Sequence, residues 1–401
     1  MKKVIKKLFN LQGLWIDFAD WKENGVILKV RSPRNTAKCP FCGKSTKLIH
    51  QKRERKIKHG IYMGKIVYLL IKVRRFYCKK CKKTFREEIP IIDRKRISKE
   101  FRKTAILELK TQSFNEVSKK LKVSSNTLTR VLKEGLKNYQ IDWKNFGEEI
   151  YLGVDEHSFR GKNLLITITE LKKQKLLAIL PDDRQKTLDE FFSKIPEEIK
   201  PKIKGCCIDL KISYKNAIKK HFPKTQIVVD KFHLVKLANQ SMEEIRRIIF
   251  SSTKKKPRVR RIMLKGKEKI SSIEELKLKQ IFETFSDFPD LKASYIIKER
   301  IREMYQMNSI ESAKKHLKIT ILLLEESNSY YLQSLKRTLK RWRKEILNYF
   351  LLPITNAFTE GCHTKIKMVK RVSFGFKNVY NYIGKIMLAF LPFFEIFYHH
   401  F

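Results

Sequence analysis

Residues 151–157 read YLGVDEH, a short apolar run that ends abruptly at Asp155. Working outward, EIYLGV, NLLITITEL and KLLAIL are three apolar runs with tight connections, and GCCIDL and TQIVVD are two more. TLDEFFSKI and SYKNAIKKHF, set between the later runs, carry helical periodicity. The order β-β-β-α-β-α-β predicts a mixed five-stranded sheet with helices on both faces.

Two further segments repeat the logic of the first. CCIDL ends in Asp209, and the polar-opened helix NAFTEGCHTKIK carries Glu360. Phosphodiester transfer needs an activated oxygen nucleophile and a stabilised leaving oxygen, and two divalent cations ~3.5–4 Å apart supply both. Carboxylates at strand ends suit magnesium or manganese, because the backbone there is rigid and the side chain leaves the core. Each acid alone also reads as an exposed strand-end or N-cap residue. The three in this order on an RNase H-like α/β pattern, where strands one and four lie side by side, point to a catalytic trio. Glu156 is expected on the opposite side of the pleat. Asp230 and His233, in VVDKFH, read as a supporting pair near the site or as a local structural pair; Asp230 could also substitute for Asp209, though a fifth-strand position is less central.

The chain has 401 residues, with 89 Lys and Arg against 41 Asp and Glu, hence a formal charge of +48. That surplus suits a polyanion, because each cation facing a phosphate releases a counterion. A merely lysine-rich composition is the bland alternative, and membrane-surface binding a weaker one. The opening MKKVIKKLFNLQGLW lacks the apolar run and cleavage site of a signal peptide. The tail IGKIMLAFLPFFEIFYHHF is interrupted by Lys385, Pro392 and Glu395, so it reads as core rather than as a membrane span. A reducing cytoplasm is expected, where paired cysteines hold metal more often than they form disulfides.

The N-terminal third carries its own signals. LWIDFADW and GVILKVRS flank ENG, a hairpin pattern. Cys39 and Cys42, then Cys78 and Cys81, form two C-x-x-C knuckles separated by 35 residues. Four thiolates so arranged make a tetrahedral, ribbon-type structural zinc site, with a redox dithiol or chance clustering as the alternatives. His50 reads as exposed rather than as a ligand. SFNEVSKKLKVSSNTLTRVLKEGL then predicts two short helices around VSS, with Ser124 or Ser125 capping the second. That is a helix-turn-helix pattern leaving Asn126, Thr127, Thr129 and Arg130 outward for DNA, or a plain helical hairpin. Residues 239–349 are strongly helical and basic, with KKKPRVRR at 254–261 expected as a loop. The expected domains are 1–92 (zinc-ribbon-like), 93–145 (helix-turn-helix), 146–238 and 350–401 (catalytic), with 239–349 as an all-helical insertion.

Together, CPFCG, RRFYCKKCKKTF, GVDEHSF, IDLKISYKNAIKKHFPKTQIVVDKFHLVK and TNAFTEGCHTKIKMVKRVSFGFKNVYNYIGKIML resemble the ISL3 family of bacterial insertion-sequence transposases. The resemblance covers nearly the whole chain. It implies an N-terminal zinc-binding region, a helix-turn-helix and a DDE catalytic domain. By motif it places the triad on Asp155, Asp209 and Glu360. It also implies recognition of terminal inverted repeats by a dimer or larger synapse. GCHTK after Glu360 departs from the small-polar segment more usual in the family. A catalytically silent DNA-binding regulator would keep the fold without cleavage, and a stand-alone nuclease would cut without strand transfer.

Overall fold

The computed structural model describes residues 2–89, 91–92, 96–137, 139–253 and 257–392. Contacts divide the chain into two compact units, Met1–Gln140 with Ile366–Phe401, and Ile141–Lys365.

The first unit opens with helix α1 (Lys2–Leu8) and strands β1 (Trp15–Lys22) and β2 (Gly25–Arg31). These strands pair antiparallel across a two-residue turn, with Lys22 opposite Gly25. Gly25 has φ +155° and stands so close to Ile66 that a Cβ would come within 2.7 Å of its carbonyl oxygen. Short strands β3 (Ala37–Lys38) and β4 (Ser45–Thr46) pair around the first cysteine knuckle. Strands β5 (Ile49–Tyr62) and β6 (Lys65–Cys78) form a long hairpin, and β7 (Lys83–Arg86) adds to β6. The hairpin turn uses Met63 and Gly64, both at positive φ, which matches the twist of the flanking strands. The order is β1-β2-β6-β5, with β2 and β6 parallel. Val26, Leu28 and Val30 on β2 and Val67, Leu69, Ile71 and Val73 on β6 bury one face.

Three helices follow: α2 (Lys99–Thr111), α3 (Phe114–Leu121) and α4 (Ser125–Leu136). Ser113 and Glu116 close a capping box on α3, and Ser124 caps α4 by accepting from the Thr127 amide. Lys122, in the left-handed region at φ 51°, makes the turn between them. Val117, Leu121, Leu128, Val131 and Leu132 face one core, as the apolar spacing predicts.

The second unit contains strands β8 (Ile150–Arg160), β9 (Asn163–Glu170), β10 (Lys175–Ile179), β11 (Ile203–Ile208) and β12 (Gln226–Val229). Their order is β10-β9-β8-β11-β12, with β8, β11 and β12 parallel and β9 antiparallel to both neighbours. Helices α5 (Gln185–Ser193) and α6 (Ile212–His221) make the crossovers and pack on each other. The run of β-branched and leucine side chains in β8, β9 and β11 is buried, which is why these strands read as nearly continuous apolar segments.

Asp155 does not terminate its strand as expected. β8 continues to Arg160 because its hairpin partner β9 keeps pairing as far as Asn163 opposite Arg160. What ends at Asp155 is the parallel ladder, whose last pair is Val154 and Ile208.

Helix α7 (Lys231–Ser252) starts directly after Asp230, earlier than the expected insertion boundary. It leads into α8 (Arg260–Leu264), α9 (Ser272–Thr284), α10 (Pro289–Met304), α11 (Ile310–Leu323), α12 (Tyr330–Arg341) and α13 (Arg343–Leu347). Part of the basic segment expected as a loop is therefore α8, where Ile262 and Met263 are buried; residues 254–256 lie outside the described residues.

Helix α14 (Ala357–Val372) crosses the division between the units, and α15 (Val379–Phe390) belongs to the first. Residues from Ile366 onward thus group with the N-terminal unit, not with the five-stranded sheet. The reason is apolar: Leu388 and Leu391 complete the core of α2, α3 and α4. Residues 393–401 of the apolar tail lie outside the described residues. Among the described residues no helix is long and apolar enough to cross a membrane.

Candidate active site

The end of the parallel ladder gathers the acids. Asp155 leaves β8 one residue past its last pairing with β11, and Asp209 follows β11 directly. Asp230 follows β12, with its amide bonded to the Ile208 carbonyl. Three parallel strands thus deliver three carboxylates at one end of the sheet. His233, in the first turn of α7, sits among them. Its Nε2 is 3.8 Å from Asp155 Oδ1 and 3.9 Å from Asp209 Oδ2, and its Nδ1 is 3.1 Å from Asp230 Oδ2.

Asp155 and Asp230 are buried, whereas Asp209 is half-exposed. Burial pushes the Asp155 carboxyl up to about 6, against the opposing pull of His233 and of the Glu156 amide. Burial also works against a charged His233. The Asp230 hydrogen bond and the carboxylates of Asp209 and Asp155 outweigh it and hold the imidazole above its ordinary value.

Glu156 turns the other way, bonded by the Lys211 ammonium and the Tyr214 hydroxyl; Lys211 also reaches Asp183 at 2.8 Å.

Glu360 lies in the first turn of α14 and is half-exposed. Its helix is held to the sheet on both sides of it. Asn356 donates its backbone amide to Asp230 Oδ1 and its side-chain amide to the Val154 carbonyl, each at 3.3 Å. Thr359 shares a 2.7 Å hydrogen bond with Thr169. His363 puts Nε2 3.0 Å from Thr167 Oγ1 and Nδ1 3.7 Å from Asp155 Oδ2. Positions 356, 359, 360 and 363 are spaced i, i+3, i+4, i+7 and so form one helical stripe. Glu360 shares that stripe with the two residues that reach Asp155 and Asp230. The close approach needs Gly153, since a Cβ there would meet Thr169 Oγ1 and Thr359 Oγ1, each at 2.6 Å.

Asn356, Thr359, His363, Thr167 and Thr169 were not singled out from sequence. The helical spacing around Glu360 was the available signal for the first three; the two threonines read only as strand formers.

In the first unit, the Sγ atoms of Cys39, Cys42, Cys78 and Cys81 all lie within 4.8 Å of one another. Four mutually adjacent thiols on two turns are the donor set of a structural zinc site. Phe76 and Phe85 stack beside them. On α4, Asn126 and Arg130 are exposed, while Thr127 and Thr129 are half-buried, and Thr127 shares a hydrogen bond with Ser124.

Residues 152–386 match a family described as a transposase, and residues 35–81 match a zinc-finger of the transposases of IS204, IS1001, IS1096 and IS1165. Over 97% of its length the chain is 22% identical to the transposase for insertion sequence element IS1001 of Bordetella parapertussis, covering 98% of that protein. The acid-bearing sheet and the cysteine ribbon therefore fall in the two segments that carry these matches, and the chain belongs to the ISL3 family of DDE insertion-sequence transposases.

Proposed function

We propose that Asp155, Asp209 and Glu360 are the catalytic carboxylates and that they hold divalent metal, magnesium or manganese. The observation that carries this is His233, whose single Nε2 lies within 4 Å of acids from two adjacent strands. The donors are hard oxygens, and the buried Asp155 has no lysine or arginine among the ion-pair partners described for it. A carboxylate cluster of that kind fits a hard cation. When bound, a cation pair activates the attacking oxygen and stabilises the leaving one.

The chain's own residues do the positioning. Asp230 receives Asn356 and His233 and so fixes α7 and α14 against the strand ends. His233 and His363 stand 3.8 Å and 3.7 Å from the two oxygens of the Asp155 carboxylate and favour its charged form without hydrogen-bonding it. Strand order, parallel ladder and crossover helices support an RNase H-like sheet, and the capped pair α3–α4 supports a helix-turn-helix that presents Asn126 and Arg130 to DNA. With the zinc ribbon, that pair would recognise the terminal inverted repeats, in a dimer or larger synapse that joins the 3′-hydroxyl ends to target DNA.

The test uses purified full-length protein, magnesium and DNA carrying the element's own ends. Asp155→Asn, Asp209→Asn and Glu360→Gln should each lower cleavage and strand transfer at least ~10³-fold. Full activity of any one of them removes that residue from the trio. Cleavage without joined products would identify a nuclease instead.

A further inference from the structure

We infer that the arginines gathered on one face of the N-terminal sheet, Arg53, Arg55, Arg75, Arg86 and Arg96, form a binding surface for the sugar–phosphate backbone of duplex DNA. This rests on the transposase reading for the identity of its partner, but on separate residues for its evidence.

Register fixes the face. Arg75 on β6 stands directly opposite Arg86 on β7, while the next pair, Phe76 and Phe85, points to the other side against the cysteines. On β5, Arg53 lies opposite Val73 and Arg55 opposite Ile71. Ile71 and Val73, which are buried in the core, and Arg75 alternate along β6 on one side, so the β5 arginines share the side of Arg75 at the end of that face where the core stops. Arg96 joins from the segment bonded to β5, its carbonyl accepting the Lys58 amide. Burial first, then the charges of Arg86, Arg96 and Arg53, depress the Arg55 guanidinium, which shows how near these groups stand.

Among the described residues none of the five arginines has a carboxylate within ion-pair distance. The nearby Glu87 is committed to Arg74, on the Phe76 side of β6. Arg53, Arg75, Arg86 and Arg96 are exposed. Like charges directly opposite on neighbouring strands destabilise a sheet, so the arrangement opposes folding unless an anion arrives. Guanidinium groups bind phosphate oxygens bidentately and need no base edge. Four on paired strands with a fifth beside them fit a regularly charged polyanion.

The experiment compares full-length wild type with Arg75→Gln/Arg86→Gln, binding a random-sequence duplex over a range of salt concentrations. Loss of two phosphate contacts should reduce the slope of log K against log salt by about 1.8. Arg75→Lys/Arg86→Lys should restore the slope, and zinc content should match wild type in all variants. A second pair, Arg53→Gln/Arg96→Gln, should give the same reduction if the first fails to fold. Lys314→Gln/Lys315→Gln, on exposed positions of α11, removes the same charge and should leave the slope unchanged. A wild-type slope in both folded arginine-to-glutamine pairs overturns the inference while leaving the transposase reading intact. No DNA binding by wild type overturns both.

Discussion

The cysteine site and the proposed acid site are built on opposite principles. At the cysteine site the four ligands sit on two tight turns, and their sulfurs lie within 4.8 Å of one another. The surrounding apolar support is small, essentially Phe76 and Phe85. At the acid site Asp155, Asp209 and Asp230 come from the point where the parallel ladder of three strands stops, and a layer of hydrogen bonds from Asn356, Thr359 and His363 holds the helix that carries Glu360. In the first case metal holds chain; in the second, chain alone holds the acids together. The sites should therefore respond differently to metal removal.

The largest effect is expected at the cysteines. Structural zinc contributes an apparent ~10–16 kcal/mol in small zinc-folded modules. Cys78→Ser, or a strong chelator, should empty the site and strip amide protection from β6 and β7 near the knuckles. β8, β9 and β11 should keep theirs. Zinc stoichiometry together with hydrogen exchange reads both outcomes. Unchanged protection around Cys78 in zinc-free protein would erase the contrast.

At the acid site, packing rather than metal should dominate stability. Gly153→Ala places a methyl where Thr169 and Thr359 leave no room. Overpacking of this kind costs about 1–3 kcal/mol and should displace α14, so cleavage should fall along with stability. Thr359→Val, which loses one hydrogen bond, should cost about 1 kcal/mol. Denaturant midpoints at constant slope would measure both. Equal costs for the two would show that the helix is not tightly seated at Gly153.

Asp155 sharpens the same point through pH. Its pKa rises from the usual 3.8 to about 6 on folding. Between those values the folded chain keeps a proton that the unfolded chain has lost, so stability falls as pH rises through that window. In metal-free protein at pH 7, Asp155→Asn should therefore stabilise, on the order of 1–3 kcal/mol, while abolishing activity. A destabilised, inactive variant would mean that the acid's role is mainly structural.

The same contrast explains what the sequence revealed. The cysteine knuckles were legible because ligand type and spacing are local. The sheet was legible because its strands are apolar on both faces, and the capped pair α3–α4 because its serines and apolar stripe are both local. The end of the parallel ladder at Asp155 was harder to read, since it depends on which neighbour stops pairing first. His363 was seen only as a departure in GCHTK, because its meaning lies in Thr167 and Asp155, about two hundred residues away. The grouping of residues after Ile366 with α2–α4 was hidden for a similar reason. An apolar helix announces that it will be buried, but not against what.

That helix supplies the smallest and most discriminating test. Lys385 interrupts its apolar face and is buried, donating a 2.7 Å hydrogen bond to the Gln112 carbonyl. Burial lowers its pKa to about 8 from 10.5, with Glu116 pulling the other way. Here the sign is the reverse of that at Asp155. Between about 8 and 10.5 the unfolded chain holds a proton that the folded chain has released, so stability rises with pH across that window. Lys385→Met should remove this rise. At pH 7 it should stabilise by only about 1 kcal/mol, since relief of the buried charge is partly offset by the lost hydrogen bond. Stability curves of wild type and variant from pH 7 to 10.5 would show it as curves that approach and then cross toward the alkaline end. Parallel curves would mean that Lys385 keeps its charge solvated, and that of the two buried charges only Asp155 is held at a cost to the fold.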